Sequence, residues 1–274
     1  MSFIRPMVVQ DVSIGADIEW FVRRLDNGTI VSAEPYVKGT KKDPHKFAPN
    51  QNAWYATQLD NVLAEGNIPP ARTANQFVTS IQFLRRHLDI EVLPDGLATC
   101  ARGAAFLPES ELQTENAKTF GCDPSYNVWT GEEEVTTPSD PCLRTAGFHI
   151  HIGYRNPTEF TNKCLVRAMD AFLGVPSVLL EADGTRMKNG YGRAGNYRNQ
   201  KWGVEYRTLS SFFVSDDSLV EWVWRNTWKA IDRVNDGLFK EPKGDGSLAR
   251  VINDRDAVGA TSIIRVLKVP MPGD

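Results

Sequence analysis

The stretch Gly147-Phe148-His149-Ile150-His151-Ile152-Gly153-Tyr154 alternates apolar and polar residues with the two-residue period of a β-strand. Phe148, Ile150 and Ile152 fall on one face, suited to burial, while His149 and His151 fall on the other. Glycines at both ends allow the backbone to turn or another group to approach closely. A strand with a packed back and two imidazoles in front is a floor for a polar site.

Two other stretches repeat the design. In Ser13-Ile14-Gly15-Ala16-Asp17-Ile18-Glu19-Trp20-Phe21-Val22, Ile18 separates Asp17 from Glu19, so both carboxylates project from one face. Acids this close repel unless a cation or donor lies between them. Magnesium, which prefers hard oxygen ligands, suits the pair; the plain alternative is a charged, solvent-facing edge strand. In Gly203-Val204-Glu205-Tyr206-Arg207-Thr208-Leu209, Glu205 and Arg207 share one face and Val204 and Tyr206 the other. Three strands built to one polar-pair rule argue for a shared site, because a purely structural sheet surfaces its polar side with mixed, unpaired residues.

Between these strands, Asp26-Asn27-Gly28 reads as a hairpin turn into Thr29–Ser32. Residues 38–52, with Lys38, Lys41, Lys42 and Lys46, read as a solvated polar loop. Trp54 to Pro70 reads as a short strand that stops at Pro69-Pro70, with Asn61, Glu65 and Asn67 on one face. Glu65 is the acid that joins Asp17 and Glu19. From Thr73 the period turns helical through Phe77, Ile81, Leu84 and Leu88, with Thr73 as N-cap and Arg85, Arg86 and His87 near the end that favours positive charge. Pro94, Pro108, Pro124, Pro138 and Pro141 break residues 94–146 into short pieces without assigned chemistry, Glu132-Glu133-Glu134 being a solvated acidic turn.

A long helix is predicted from Thr158 to Glu181, interrupted at Pro176. Residues 183–203 then read as a flexible, glycine-punctuated cationic loop in which Arg186, Lys188, Arg193, Arg198 and Lys201 alternate with Tyr191, Tyr197 and Trp202. Forked arginine donors on such a loop suit polyphosphate, and arginine beside aromatics also suits a stacked base or single strand; the plain alternative is an exposed loop. Ser215 is predicted to cap a helix through about Asp236, a further helix to start at Ser247, and a short apolar stretch to cover Ser262 to Val269.

Composition bounds these readings. Of 274 residues, 41% are hydrophobic, 24% charged and 10% aromatic, as in a soluble globular protein, and the absence of an evident linker suggests one domain over 1–274. A net charge of −3 argues against a generally basic surface for nucleic acid. No apolar run approaches the roughly 18 to 20 residues of a membrane span, and no signal-peptide pattern opens the chain, so a cytoplasmic location is expected. Cys100, Cys122, Cys142 and Cys164 form no CxxC pair, which favours reduced thiols over a zinc cluster.

Taken in order, Gly15-Ala-Asp-Ile-Glu19, Gly147-Phe-His-Ile-His-Ile-Gly153 and Gly203-Val-Glu-Tyr-Arg207 resemble the carboxylate–amine ligases of the glutamine synthetase and glutamate–cysteine ligase fold, most closely the phage-type COOH–NH2 ligases. The resemblance spans roughly residues 13 to 237. It implies an α+β catalytic domain, glutamine synthetase-like, in which a curved antiparallel β-sheet holds magnesium and ATP on its concave face and helices pack on the outer face. It implies Asp17, Glu19, Glu65, His149 and Glu205 as metal ligands, manganese being an alternative ion. One of His149 and His151 would contact metal or ATP phosphate; Arg193, Arg198 and Lys201 belong to the phosphate-binding loop. Glu205 and Arg207 match the closing Glu-x-Arg and, with Arg193, would carry catalysis. Asp17 departs from the commoner Glu-x-Glu, and no separate amine-site motif is evident, so acid and amine remain unnamed: free small molecules, or groups on a peptide or nucleic acid. A phage-encoded protein of this kind would act in the host cytoplasm.

Two other functions compete. His149-x-His151 could bind zinc in a hydrolase, although His45 and His87 are poorly placed to complete the set. The arginine and tyrosine loop could serve a non-catalytic nucleic-acid-binding module, whose affinity would fall steeply with salt and need no ATP.

Overall fold

The computed structural model describes residues 8–50, 53–119, 125–134, 140–239 and 246–273. Its strands are β1 (Ser13–Arg24), β2 (Ile30–Val31), β3 (His45–Asn50), β4 (Ala53–Asp60), β5 (Leu63–Ala71), β6 (Leu97–Cys100), β7 (Ala104–Phe106), β8 (Ser125–Asn127), β9 (Glu133–Glu134), β10 (Leu143–Thr145), β11 (Phe148–Gly153), β12 (Asn196–Gln200) and β13 (Gly203–Tyr206). The helices are α1 (Ala74–His87), α2 (Glu115–Lys118), α3 (Glu159–Met169), α4 (Val175–Leu180), α5 (Thr185–Lys188), α6 (Asp217–Asn235), α7 (Ser247–Asn253) and α8 (Ala257–Leu267).

The fold is α+β. One large antiparallel sheet runs β3-β4-β5-β1-β11-β13-β12-β8-β9, and β7 pairs with β10 in a small second sheet. β1 is its organising strand. The first half of β1 pairs with β5 and β11, and its second half with β2 and β6.

The period of two sorts β1 into two faces. Ile14, Ala16, Ile18 and Trp20 are buried on one side, as are Phe148, Ile150 and Ile152 of β11 and Val204 and Tyr206 of β13. Helices α1, α3 and α6 cover this apolar side, with Phe77 of α1 lying 6.2 Å from the Phe148 ring and 5.4 Å from Trp224 of α6. Full burial of each such side chain contributes about 1.5–3 kcal/mol. Gly66 of β5 lets α1 approach closely, since a Cβ there would stand 2.7 Å from Leu84 Cδ2. The helices leave the opposite, polar face of the sheet to the site.

Local chemistry sets the helix starts. Thr73 Oγ1 accepts from Gln76 N at 3.2 Å and Thr158 Oγ1 from Thr161 N at 3.1 Å, as their sequence positions suggest. The cap of α6 is Asp216 instead of Ser215, its carboxylate accepting from Ser218 N at 2.8 Å.

Several sequence expectations are corrected. Part of the lysine-bearing loop at 38–52 forms β3, since pairing with β4 satisfies its backbone; residues 51–52 lie outside the described residues. Trp54 to Pro70 is a hairpin: Asn61, at φ 56°, makes the turn and does not share a face with Glu65, and β5 continues through Pro69 and Pro70 to Ala71. The long helix changes at a wide turn over Asp170–Gly174, ahead of Pro176, which sits in the first turn of α4 where a missing N–H costs little. The 183–203 loop contains α5 and β12, and the apolar stretch from Ser262 belongs largely to α8. Glu133 and Glu134 form β9, where Glu134 accepts from Asn127 and Asn196. Cys122 and the breaks expected at Pro124 and Pro138 lie outside the described residues.

Candidate active site

Strand pairing gathers the polar face. Asp17 stands opposite His149 on β11 and Asn67 on β5; Glu19 stands opposite Glu65, and Glu65 opposite Gln58 of β4. On the other flank His151 stands opposite Glu205, and Glu205 opposite Arg198. One row of acids, imidazoles and guanidinium groups therefore crosses β4, β5, β1, β11, β13 and β12.

At its centre, Asp17, His151 and Glu205 place one ligand atom each within 4.8 Å of one another. His151 Nε2 lies 3.0 Å from Asp17 Oδ1, and the Trp202 ring lies 5.1 Å from the His151 ring. Burial alone would lower the pKa of His151, but Asp17, helped by Glu205, outweighs it and raises the net value. Two carboxylates and an imidazole on three strands form a donor set that fits a divalent cation.

The β4–β5 flank concentrates negative charge. Glu65 accepts from Gln58 Nε2 at 2.7 Å, and Asp60 pairs with Lys41 at 2.7 Å. Burial first, then Asp60, raises Glu19 to about 7 against the pull of Arg207, Lys41 and the Gly147 N–H. Burial also raises Glu65, assisted by Asp60, Asp17 and Glu19. A cluster held this far from its ordinary charge state is suited to receiving a cation or a proton.

The β13 flank is cationic. Arg207 contacts Glu205 directly, and Arg198 Nη1 lies 3.6 Å from the same carboxylate. Burial pushes Glu205 up, but Arg207, His151 and Arg198 together bring it down to about 2. His149 stands between flanks: Nδ1 lies 3.2 Å from Arg207 Nη1 and Nε2 lies 3.1 Å from Tyr191 Oη. Burial, then Arg207, lowers its pKa well below the ordinary histidine value, so it is neutral. Tyr191 is held by Arg186, whose guanidinium lies 4.5 Å over the tyrosine ring and donates to Thr208 O at 2.7 Å and Arg207 O at 3.2 Å. Gly192, at φ 71°, leaves the space that this guanidinium fills.

The structure thus brings Asp17, Glu19, Glu65, His149, His151, Arg198, Glu205 and Arg207 to one face. It does not bring all of them to one cation: His151 joins Asp17 and Glu205, whereas both nitrogens of His149 face protein groups. Arg193 is exposed, its carbonyl accepting from Thr208 Oγ1 at 3.0 Å, and Lys201 is exposed at the β12–β13 turn. Sequence reasoning missed Gln58 and Asp60 as site groups, and placed Arg186 and Tyr191 only in a cationic loop for phosphate or a stacked base, not as the support of His149 and Arg207. Gln58-Leu59-Asp60 repeats the alternation of the other polar pairs and was available as a signal; Tyr191 and Arg186 carry no periodicity that would mark them.

Residues 138–223 match the family described as phage phiEco32-like COOH.NH2 ligase-type 2. That span contains β11, Arg186, Tyr191, β12, β13 and Arg207, and so both the histidines and the Glu-x-Arg of the polar face. The match supports a phage-type carboxylate–amine ligase. No curated protein matches the chain. Among the described residues, no helix is long and apolar enough to cross a membrane.

Proposed function

We propose that the protein is an ATP-dependent carboxylate–amine ligase of glutamine synthetase-like design, forming an amide through an acyl phosphate and releasing ADP and phosphate. One observation carries the reading: the Asp17–His151–Glu205 donor set lies beside the guanidinium groups of Arg207 and Arg198 on the sheet face opposite α1, α3 and α6, and all of these residues except Asp17 fall within the segment of the family match.

A carboxylate resists amine attack until its oxygen is converted to a better leaving group. In the first step a carboxylate oxygen of the acid bonds to the γ-phosphorus as the bond to ADP breaks. In the second the amine nitrogen bonds to the acyl carbon, phosphate leaves, and the amine gives up a proton. Asp17, His151 and Glu205 would hold magnesium or manganese. Bound there, the ion would neutralise phosphate charge. Arg207 and Arg198 offer fixed positive charge to phosphoryl oxygens. A carboxylate of the Glu19–Glu65 flank takes the proton released by the amine. The acid and the amine are small molecules or groups carried on a macromolecule, a nucleic acid included.

Calorimetric titration with ATP, with and without magnesium, tests the reading on the wild type, Asp17→Asn and Glu205→Gln. Magnesium-dependent binding, lost in both variants and followed by ADP release with a suitable acid and amine, is expected. Absence of ATP binding under every condition sinks the mechanism. Tightly held zinc with ATP-independent hydrolysis, or salt-sensitive nucleic-acid binding without ATP, would redirect it to one of the competing classes.

A further inference from the structure

Arg207, His149, Tyr191 and Glu19 touch in sequence, and the direction of every hydrogen bond between them follows from one fact: a guanidinium can only donate. Arg207 Nη1 lies 3.2 Å from His149 Nδ1, so Nδ1 accepts, and the neutral ring carries its proton on Nε2. Nε2 in turn lies 3.1 Å from Tyr191 Oη and donates there. Arg207 Nη2 donates to the same oxygen at 3.2 Å. With both acceptor positions of the hydroxyl occupied, its own hydrogen points to Glu19, whose Oε1 lies 3.1 Å away and Oε2 3.4 Å. The Gly147 N–H donates to Glu19 Oε2 at 2.5 Å and completes that end.

We infer that Tyr191 is a positioning residue: its hydroxyl is the junction of a one-directional hydrogen-bond chain from Arg207 and His149 to Glu19, and through it the Arg207 guanidinium is held in place on the polar face. Arg207 lies just beyond the end of β13, where its backbone N–H donates to Asn196 O at 3.0 Å and its Nη1 contacts Glu205; Tyr191 adds the hold on Nη2. Tyr191 reaches the chain from outside the sheet, on the segment between α5 and β12. Its ring is fixed separately, by the Arg186 guanidinium 4.5 Å from its centre. The structural link is independent of the substrate; its consequence for nucleotide rests on the ligase reading.

Tyr191→Phe keeps the ring and removes the hydroxyl, so a two-part experiment on the full chain separates the claims. In the metal-free protein, the His149 ring nitrogens, assigned against His149→Gln, are expected to give the Nε2–H tautomer by 15N NMR. Rotation of the Arg207 guanidinium is expected to speed up at least about tenfold in Tyr191→Phe, as a hydrogen bond to a charged group is lost. An Nδ1–H tautomer, or unchanged rotation, overturns the inference whether or not ATP binds. With magnesium–ATP as probe, at a temperature where both proteins are fully folded, Tyr191→Phe is expected to weaken binding about tenfold. Tyr191→Phe/Arg207→Lys should bind within about twofold of Arg207→Lys alone, because coupled residues are not additive. Multiplying losses, or no loss in Tyr191→Phe, overturns the positioning role. A wild type that binds no magnesium–ATP instead overturns the ligase reading, and the metal-free arm then decides the inference by itself.

Discussion

Gly147 and His149 lie so close that a Cβ on Gly147 would stand 2.3 Å from His149 Nε2, 3.0 Å from Cδ2 and 3.1 Å from Cε1. The imidazole cannot yield easily, because Arg207 holds one nitrogen and Tyr191 the other. The same glycine presents its N–H to Glu19. Absence of a side chain at Gly147 therefore lets His149 fill the space in front of β11.

Gly147→Ala is accordingly expected to cost about 1–3 kcal/mol, the ordinary penalty of overpacking a filled interior. Urea unfolding should move to a lower midpoint with an unchanged slope. A stability equal to wild type would mean that the His149 ring can leave its place without loss.

The donor set predicts a pattern of metal affinity. Asp17→Asn, His151→Gln and Glu205→Gln should each weaken manganese binding by at least about tenfold, since each removes or neutralises one of a small number of ligands. Manganese titration followed by electron paramagnetic resonance measures this directly. Equal affinity in His151→Gln would remove the imidazole from the set and leave a purely carboxylate site.

Much of this site is legible in the sequence because a strand writes its faces at every second residue. Asp17 with Glu19, His149 with His151, and Glu205 with Arg207 are visible for that reason, and the apolar residues between them mark the buried back of the sheet. Pairing is not visible. That His151 meets Asp17, while His149 turns to Arg207 and Tyr191 with its Nδ1 3.8 Å from Glu205, depends on register and on where those two residues draw the first histidine. The Trp54–Pro70 hairpin was obscured because Asn61 makes its turn in a left-handed conformation without a following glycine, and because Pro69 and Pro70 lie within the strand that they were expected to end. Tyr191 belongs to a segment with no repeat, where only tertiary contact gives a residue its meaning.

The acid flank predicts a stability that falls as pH rises. Glu19 has an ordinary pKa of 4.5 and one of about 7 in the folded protein, chiefly through burial. Between those values the folded state binds the proton more strongly than the unfolded chain, so ionisation destabilises the fold as pH increases. Glu65 and His151, both raised, act in the same sense, whereas His149, lowered, acts in the opposite one. Glu205, at about 2, contributes stability that is lost only as pH falls below 4.5. Glu19→Gln isolates the first effect. Relative to wild type, the metal-free variant is expected to gain roughly 2–3 kcal/mol between pH 5 and pH 8. Denaturant unfolding at both pH values measures the difference, and a constant difference would refute it.

Glu205 and Arg207 are both buried and in direct contact, so their removal should be strongly asymmetric. Arg207→Ala leaves Glu205 in the interior with Arg198 3.6 Å away and His151 as its remaining cationic neighbours. Breaking a buried pair from one side costs about 3–5 kcal/mol, whereas replacing both partners by neutral groups of similar size is often close to neutral. Glu205→Gln/Arg207→Met should therefore be more stable than Arg207→Ala, though below wild type, because Arg207 also donates to His149 and Tyr191. Unfolding measurements on the wild type and both variants test this order. If the double variant matches Arg207→Ala, the loss arises from those hydrogen bonds and not from the stranded carboxylate, which would make Arg207 chiefly a support for the histidine and tyrosine behind the polar face.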